Sequence, residues 1–330
     1  MRIAPGSRVL GEDRNAMGRL VGMDEAGYGP NLGPLVVAAT VWDTVGDPAE
    51  FDGWAEFDIV LGQPPVDGSR MAVGDSKKIY QAGGSLERLE TTVLAFLRLC
   101  GLRPGGLVEL CEAVSPVGEC GLGDAPWFDQ PGISLPIAAD GDVVDQFAQR
   151  WSDRCSELGL GQPRAGATVL SAAAYNQALA RCDNKAIVLS QSSLGLLAQL
   201  VDPDRQDSTF VLADKHGGRN RYDELLCEAF DDRLVMRRQE SAECSRYRLG
   251  TMEVLFEPRA ERHFPVALAS MLAKYIRELS MDAFNSFWLA ACPGLRPTRG
   301  YPVDARRFRD EVGGRLDELG VLEDTFWRQR

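Results

Sequence analysis

Histidine is the scarcest chemically useful residue in this chain, with only His216 and His263 among 330 residues. That excludes a metal centre built on several imidazoles. Any metal would have to be held by carboxylates, which select Mg²⁺ or Mn²⁺. Long apolar runs are missing too: no stretch approaches the ~18 uninterrupted residues of a membrane helix, so no membrane partner is expected. The eight cysteines (100, 111, 120, 155, 182, 227, 244 and 292) include no C-x-x-C pair. The N-terminal residues also lack the apolar core of a secretory signal. Reduced thiols in a cytoplasmic protein are the expectation. Residues 1–18, with Pro5, Gly6, Gly11 and Gly18, read as a flexible leader ahead of a domain covering 19–330.

Positive charge is in short supply. Lys and Arg number 36 against 48 Asp and Glu, for a net charge of −12. This argues against a general nucleic-acid coat protein. The deficit is uneven: residues 1–213 hold 16 basic against 28 acidic side chains, and residues 214–330 hold 20 against 20. Basic runs at Lys215–Arg221, Arg233–Arg238, Arg246/Arg248 and Arg296–Arg309 either line a local groove for a short stretch of backbone or are solvated surface.

Against these shortages stands one conspicuous segment. Residues 24–34 read Asp-Glu-Ala-Gly-Tyr-Gly-Pro-Asn-Leu-Gly-Pro, directly after the apolar run Leu20–Met23. Neighbouring strand residues point to opposite faces, so one of Asp24 and Glu25 must point into a layer or cleft. A buried carboxylate costs several kcal/mol unless it is paired or holds a cation. The Gly/Pro loop that follows suits a rigid turn whose backbone approaches a ligand closely. An acidic strand end beside such a loop suggests a metal and a phosphate-bearing substrate.

Leu20–Asp24, Leu35–Trp42 and Thr209–Asp214 read as strands, the last continuously apolar and ending on a carboxylate. Leu234–Glu240 and Tyr247–Phe256 read as further strands. Leu86–Leu99, Asp142–Leu158, Asn184–Leu200, Tyr222–Phe230 and Arg306–Leu319 have helical spacing. Phe264–Phe284 is the strongest helix, with Pro265 at its first turn and a broad apolar face that is core. The expected fold class is α/β, a mixed central sheet flanked by helices, with a C-terminal helical part from about 285. The Gly/Pro-rich stretch within about 100–170 reads as an insertion.

Five blocks, in order, resemble the type 2 ribonucleases H: Asp24-Glu25-Ala26-Gly27-Tyr28-Gly29-Pro30 with Gly33-Pro34; Asp75-Ser76-Lys77-Lys78; Leu212-Ala213-Asp214; Phe264-Pro265-Val266-Ala267 continuing through Ala269-Ser270 to Ala273-Lys274 and Arg277-Glu278; and Gly300-Tyr301-Pro302. The resemblance implies a ribonuclease-H-like fold and a two-ion Mg²⁺ or Mn²⁺ site on Asp24, Glu25, Asp214 and Glu278. Glu278 stands where the family has Asp. It implies that Gly27-Tyr28-Gly29, in place of Gly-Arg-Gly, reads the ribose 2′-hydroxyl through backbone. Tyr301 would stack at the RNA–DNA junction, and Lys77, Lys78, Lys274 and Arg277 would meet the backbone. The implied activity is cleavage of RNA–DNA hybrids, or of ribonucleotides within duplex DNA, to 5′-phosphate and 3′-hydroxyl ends. The departures at residues 28 and 278, with the bulky Lys215-His216 after Asp214, keep two alternatives open: a binding protein that has lost cutting, and a nuclease of different substrate. Each residue also has a plain structural reading. Glu278 and Lys274 suit an i,i+4 ion pair, Asp75 a helix cap, and Asp214 a helix N-cap.

Overall fold

A computed structural model describes residues 17–80, 84–128 and 133–329. The leader therefore lies outside the described residues, except for Met17 and Gly18, which open the first strand. Nine strands run in chain order: β1 (Met17–Ala26), β2 (Leu35–Val45), the two-residue β3 (Leu61–Gly62) and β4 (Met71–Ala72), β5 (Arg164–Leu170), β6 (Ser208–Asp214), β7 (Met236–Glu240), β8 (Ser245–Leu249) and β9 (Met252–Glu257). Seven of them form one mixed sheet in the order β5-β2-β1-β6-β9-β8-β7. β1 pairs antiparallel with β2 and parallel with β6, and β6 pairs parallel with β9. The expected mixed α/β sheet flanked by helices is present.

Alternation along β1 and β2 divides the core. Leu20, Val36, Ala38 and Trp42 face one layer, formed by the helices Glu87–Leu99, Gly141–Glu157 and Phe264–Ala291. Val21, Met23, Val37, Ala39 and Val41 face the helix Lys185–Leu200 and the aromatic pair Tyr222 and Phe256. The long helix Phe264–Ala291 lies hard against β1 at Gly22, where a Cβ would come within 2.2 Å of the Pro265 carbonyl carbon. The Thr40 hydroxyl donates to Pro265 O at 2.9 Å. The start of this helix is thereby fixed over the middle of the sheet. Its far end packs Met281, Phe284 and Trp288 against Phe308 and Phe326, which makes the C-terminal helical part a third cluster continuous with the domain.

Residues 100–128 and 133–170 contribute an edge strand (β5) and a helix whose Trp151 stacks on Trp42 at 5.8 Å. One segment differs from its sequence reading. Residues Tyr247–Phe256 are not one strand but the hairpin β8–β9. It turns at Gly250 (φ 55°), where a side chain would clash with Pro203 O at 2.6 Å.

The loop before helix Gly141–Glu157 is held by a buried carboxylate. Glu90 accepts from the amides of Ile137, Ala138 and Ala139 at 2.6–2.8 Å and from the Tyr275 hydroxyl at 2.7 Å. Charge-assisted bonds to a fully desolvated acid are strong, and removing the acceptor strands several buried donors. Glu90→Gln is expected to cost about 3 kcal/mol in urea unfolding; a loss under about 0.5 kcal/mol contradicts this reading.

Candidate active site

Parallel pairing brings three strand ends to one edge of the sheet. Met23 lies opposite Ala213, so Asp24 and Glu25 emerge beside Asp214. Asp214 in turn lies opposite Glu257. Glu257 is met locally by the Arg262 guanidinium at 2.6 Å and the His263 ring at 2.5 Å. Asp24 and Glu25 have no such ion pair among the described residues. Both are half-buried, and the Glu25 amide donates to Asp24 Oδ1 at 2.8 Å. Burial pushes the Asp24 carboxyl up to about 7, against hydrogen bonds from Ser270 and the Glu25 amide, with repulsion from Asp214 and Glu261 adding to the rise. Burial, then Asp24 and Asp214, push Glu25 up to about 8, with Lys77 opposing. Like charges and desolvation are the two classic sources of such shifts, acting here together.

Glu278 sits differently. It is buried on the long helix with Lys274 Nζ at 2.6 Å, Arg277 at 3.9 Å and Arg299 in direct contact. The i,i+4 pair read from the sequence is thus real, and Arg299 reinforces it while bonding the Tyr80 hydroxyl at 2.9 Å. Among the described residues, no three His, Cys, Asp or Glu side chains are spaced to hold a metal ion. The donors at the strand ends are nevertheless all hard oxygens, and Asp24 and Glu25 are destabilised as anions. A divalent cation fits their chemistry, whereas Glu278 as placed has its charge already compensated.

The loop after Glu25 is pinned from below. Gly27 has φ 93°, and a Cβ there would meet Pro34 O at 2.4 Å and Arg277 Nε at 2.7 Å. Arg277 is almost wholly buried and donates to Leu32 O (3.3 Å) and Arg299 O (3.0 Å). Its guanidinium thus supports the loop and does not face the open site expected for a backbone contact. A second buried arginine, Arg328, donates to Gly27 O at 2.5 Å and Tyr28 O at 3.3 Å and stacks on Tyr175 at 4.2 Å. The Arg328 amide also donates to Asn31 O at 2.8 Å. Gly29 is unobstructed. The Asn31 amide donates to Gly300 O at 2.8 Å, which brings the exposed Tyr301 to the same loop. Tyr28 is half-buried, and burial raises its hydroxyl, with Tyr175 and Glu25 adding and Arg219 opposing.

Lys77 and Lys78 are exposed on the short helix Ser76–Ile79, capped by Asp75, whose carboxylate accepts from the Lys77 amide at 3.0 Å. The Ser76 and Ser270 hydroxyls hydrogen-bond each other at 3.1 Å, which ties this helix to the long one. Lys77 faces Glu25, whose charge it favours. His216 is buried, hydrogen-bonds Ser190 Oγ at 3.0 Å, and has its pKa lowered to about 3 by burial and Arg219. It is a neutral core residue. Sequence reading missed Arg299, Arg328 and Glu261. Arg299 directly precedes the Gly300-Tyr301 block, the one available hint; the other two give no local signal.

No family model matches the chain, and no curated protein matches it. Solved structures with a similar outline exist. A chain of the PCNA:RNase HII complex from Archaeoglobus fulgidus aligns at 16% identity over 94% of this chain and 94% of that one, with a TM-score of 0.41. Ribonuclease H2 from Pyrococcus horikoshii aligns at 13% over 93% and 92%, with a TM-score of 0.41. Bst-RNase HIII in complex with Mn²⁺ aligns at 14% over 96% of this chain and 67% of that one, with a TM-score of 0.38. The observed fold class is α/β, with the mixed central sheet flanked by helices expected from the sequence. Likeness at this level carries no conclusion about activity or residue roles. No helix among the described residues is long and apolar enough to cross a membrane.

Two measurements check this geometry. Asp24 and Glu25 hold protons more tightly in the folded chain than at their ordinary values of 3.8 and 4.5. Stability from these groups is therefore complete below about pH 4 and lost as pH rises through about 7 to 8. In chelator, wild-type protein should lose more thermal stability between pH 5 and 8.5 than Asp24→Asn does, and Mg²⁺ should restore it. Parallel pH curves for the two proteins contradict the assignment. Arg328→Ala should cost about 2 kcal/mol and speed amide exchange in residues 27–33; unchanged exchange there contradicts the clamp.

Proposed function

We propose that this chain is a metal-dependent endoribonuclease of the ribonuclease H type. Its substrate would be the RNA strand of RNA–DNA hybrids, or single ribonucleotides in duplex DNA, and its products 5′-phosphate and 3′-hydroxyl ends. The observation that carries the reading is the pair Asp24–Glu25. Two acids are held against desolvation beside Asp214, at the mouth of a backbone loop whose Gly29 is open. Mg²⁺ or Mn²⁺, when bound, would supply Lewis-acid activation of water and charge neutralisation at the leaving oxygen.

The remaining work falls to the chain itself. Asp24, Glu25 and Asp214 would hold the metal, and Glu278 would join them only if Arg299 gave way. The rigid Gly27-Tyr28-Gly29 backbone would meet the 2′-hydroxyl, the group that distinguishes RNA from DNA. Tyr301 would stack on the exposed nucleotide. Lys77, Lys78 and Lys274 would face the phosphates, and Arg277 would set the loop from beneath.

One observation favours a second reading, a nucleic-acid-binding protein without efficient cutting. Glu278 is locked by Lys274 and Arg299. A carboxylate displaced by ~1 Å can abolish catalysis.

The test is incubation with duplex DNA carrying one ribonucleotide, an RNA–DNA hybrid and an all-DNA duplex, with Mg²⁺ or Mn²⁺. The nuclease reading predicts cutting of the ribose-containing substrates alone, with Asp24→Asn at least ~10³-fold slower. Metal-dependent binding without cutting supports the second reading, and cutting of all-DNA duplex contradicts the ribose specificity.

A further inference from the structure

A cation and a cation-bearing turn meet Tyr28 from elements remote in the chain: Lys185 lies over its ring, and the turn that carries Arg219 closes on its hydroxyl. Lys185 begins the helix Lys185–Leu200, and its exposed ammonium lies 5.0 Å from the centre of the Tyr28 ring. Arg219 sits on the turn that follows Asp214. This turn closes onto Tyr28 because Gly217 (φ 59°) has no side chain: a Cβ would stand 3.1 Å from the Tyr28 hydroxyl and 3.7 Å from Ala186 Cβ. Neither Lys185 nor Arg219 makes an ion pair or a side-chain hydrogen bond among the described residues, and Arg219 Nε is buried with no partner at all. A buried donor left unpaired is costly, and an anion oxygen would satisfy it. The neighbouring Lys215 behaves differently, since its ammonium is bonded by Asn220 at 2.6 Å and Ser241 O at 2.5 Å.

We propose that Tyr28, Lys185 and Arg219 form a phosphate-binding subsite that grips the nucleic-acid backbone beside the acidic strand ends. The inference rests on the nuclease reading and extends it to residues outside the acidic site. The Tyr28 hydroxyl and Arg219 Nε donate to one phosphodiester, and the Lys185 ammonium adds a second positive charge. Contacts of this kind fix the position of the strand and carry no information about the sugar. Tyr28, which stands between Gly27 and Gly29, thus acts through its side chain as well as its backbone.

The test is equilibrium binding of the full chain to fluorescent duplexes in Ca²⁺, over salt from about 50 to 200 mM. One duplex contains a single ribonucleotide and the other is all DNA. Lys185→Ala and Arg219→Ala should each reduce the slope of log affinity against log salt by about 0.9, and each should weaken both duplexes equally. Arg219→Lys and Lys185→Arg should keep most of the slope. Arg315→Ala, which removes a distant surface charge paired with Glu318, should leave it unchanged. Unaltered slopes in correctly folded alanine variants, or an equal loss in Arg315→Ala, overturn the subsite alone. Absence of duplex binding by the wild-type protein overturns the nuclease reading and the subsite together.

Discussion

The constraint on which the site depends is the burial of carboxylates that the sheet brings to one edge, with their mutual repulsion adding to the cost. β1 and β6 run parallel in a register that brings Asp24, Glu25 and Asp214 to one edge. The buried acids Glu90, Glu257 and Glu278 are each satisfied by bonded partners. Glu90 collects four donors, Glu257 takes Arg262 and His263, and Glu278 takes Lys274 and Arg299. Against that background, two half-buried acids without a bonded cation stand out as a place where an external positive charge is needed.

The scaffold around this edge is correspondingly stiff. Gly22 lets the long helix rest directly on β1, and Thr40 bonds its first carbonyl-bearing turn. Arg277 from that helix and Arg328 from the end of the chain then support the loop after Glu25 from beneath. Loops that carry function work best on rigid supports. Here the support is two buried guanidiniums bonded to backbone carbonyls, an arrangement that fixes the loop's path while leaving Gly29 open.

Much of this was legible in the sequence, and the reasons differ by element. β1, β2, β6 and the long helix showed themselves through uninterrupted or strictly periodic apolar residues. β5 did not, because Arg164–Leu170 contains Ala165, Gly166 and Ala167 and gains its strand character only from pairing with β2. The helix Ala172–Cys182 was equally silent, with five alanines in eleven residues and few large apolar ones. Asp24 and Glu25 were conspicuous because adjacent acids at an apolar strand end have no ordinary structural use. Arg328 could not be found, since it acts on a carbonyl 301 positions away in the chain. For Glu278, the local spacing with Lys274 described its contacts better than the resemblance did, because a helical i,i+4 neighbour is always within reach.

The most direct measurement is a carboxyl-carbon NMR titration of Asp24 and Glu25 in the metal-free protein, with Asp24→Asn and Glu25→Gln for assignment. The account predicts protonation midpoints near 7 and 8, both falling sharply when Mg²⁺ is added. Midpoints close to 4 without metal, or midpoints that Mg²⁺ leaves in place, would contradict it.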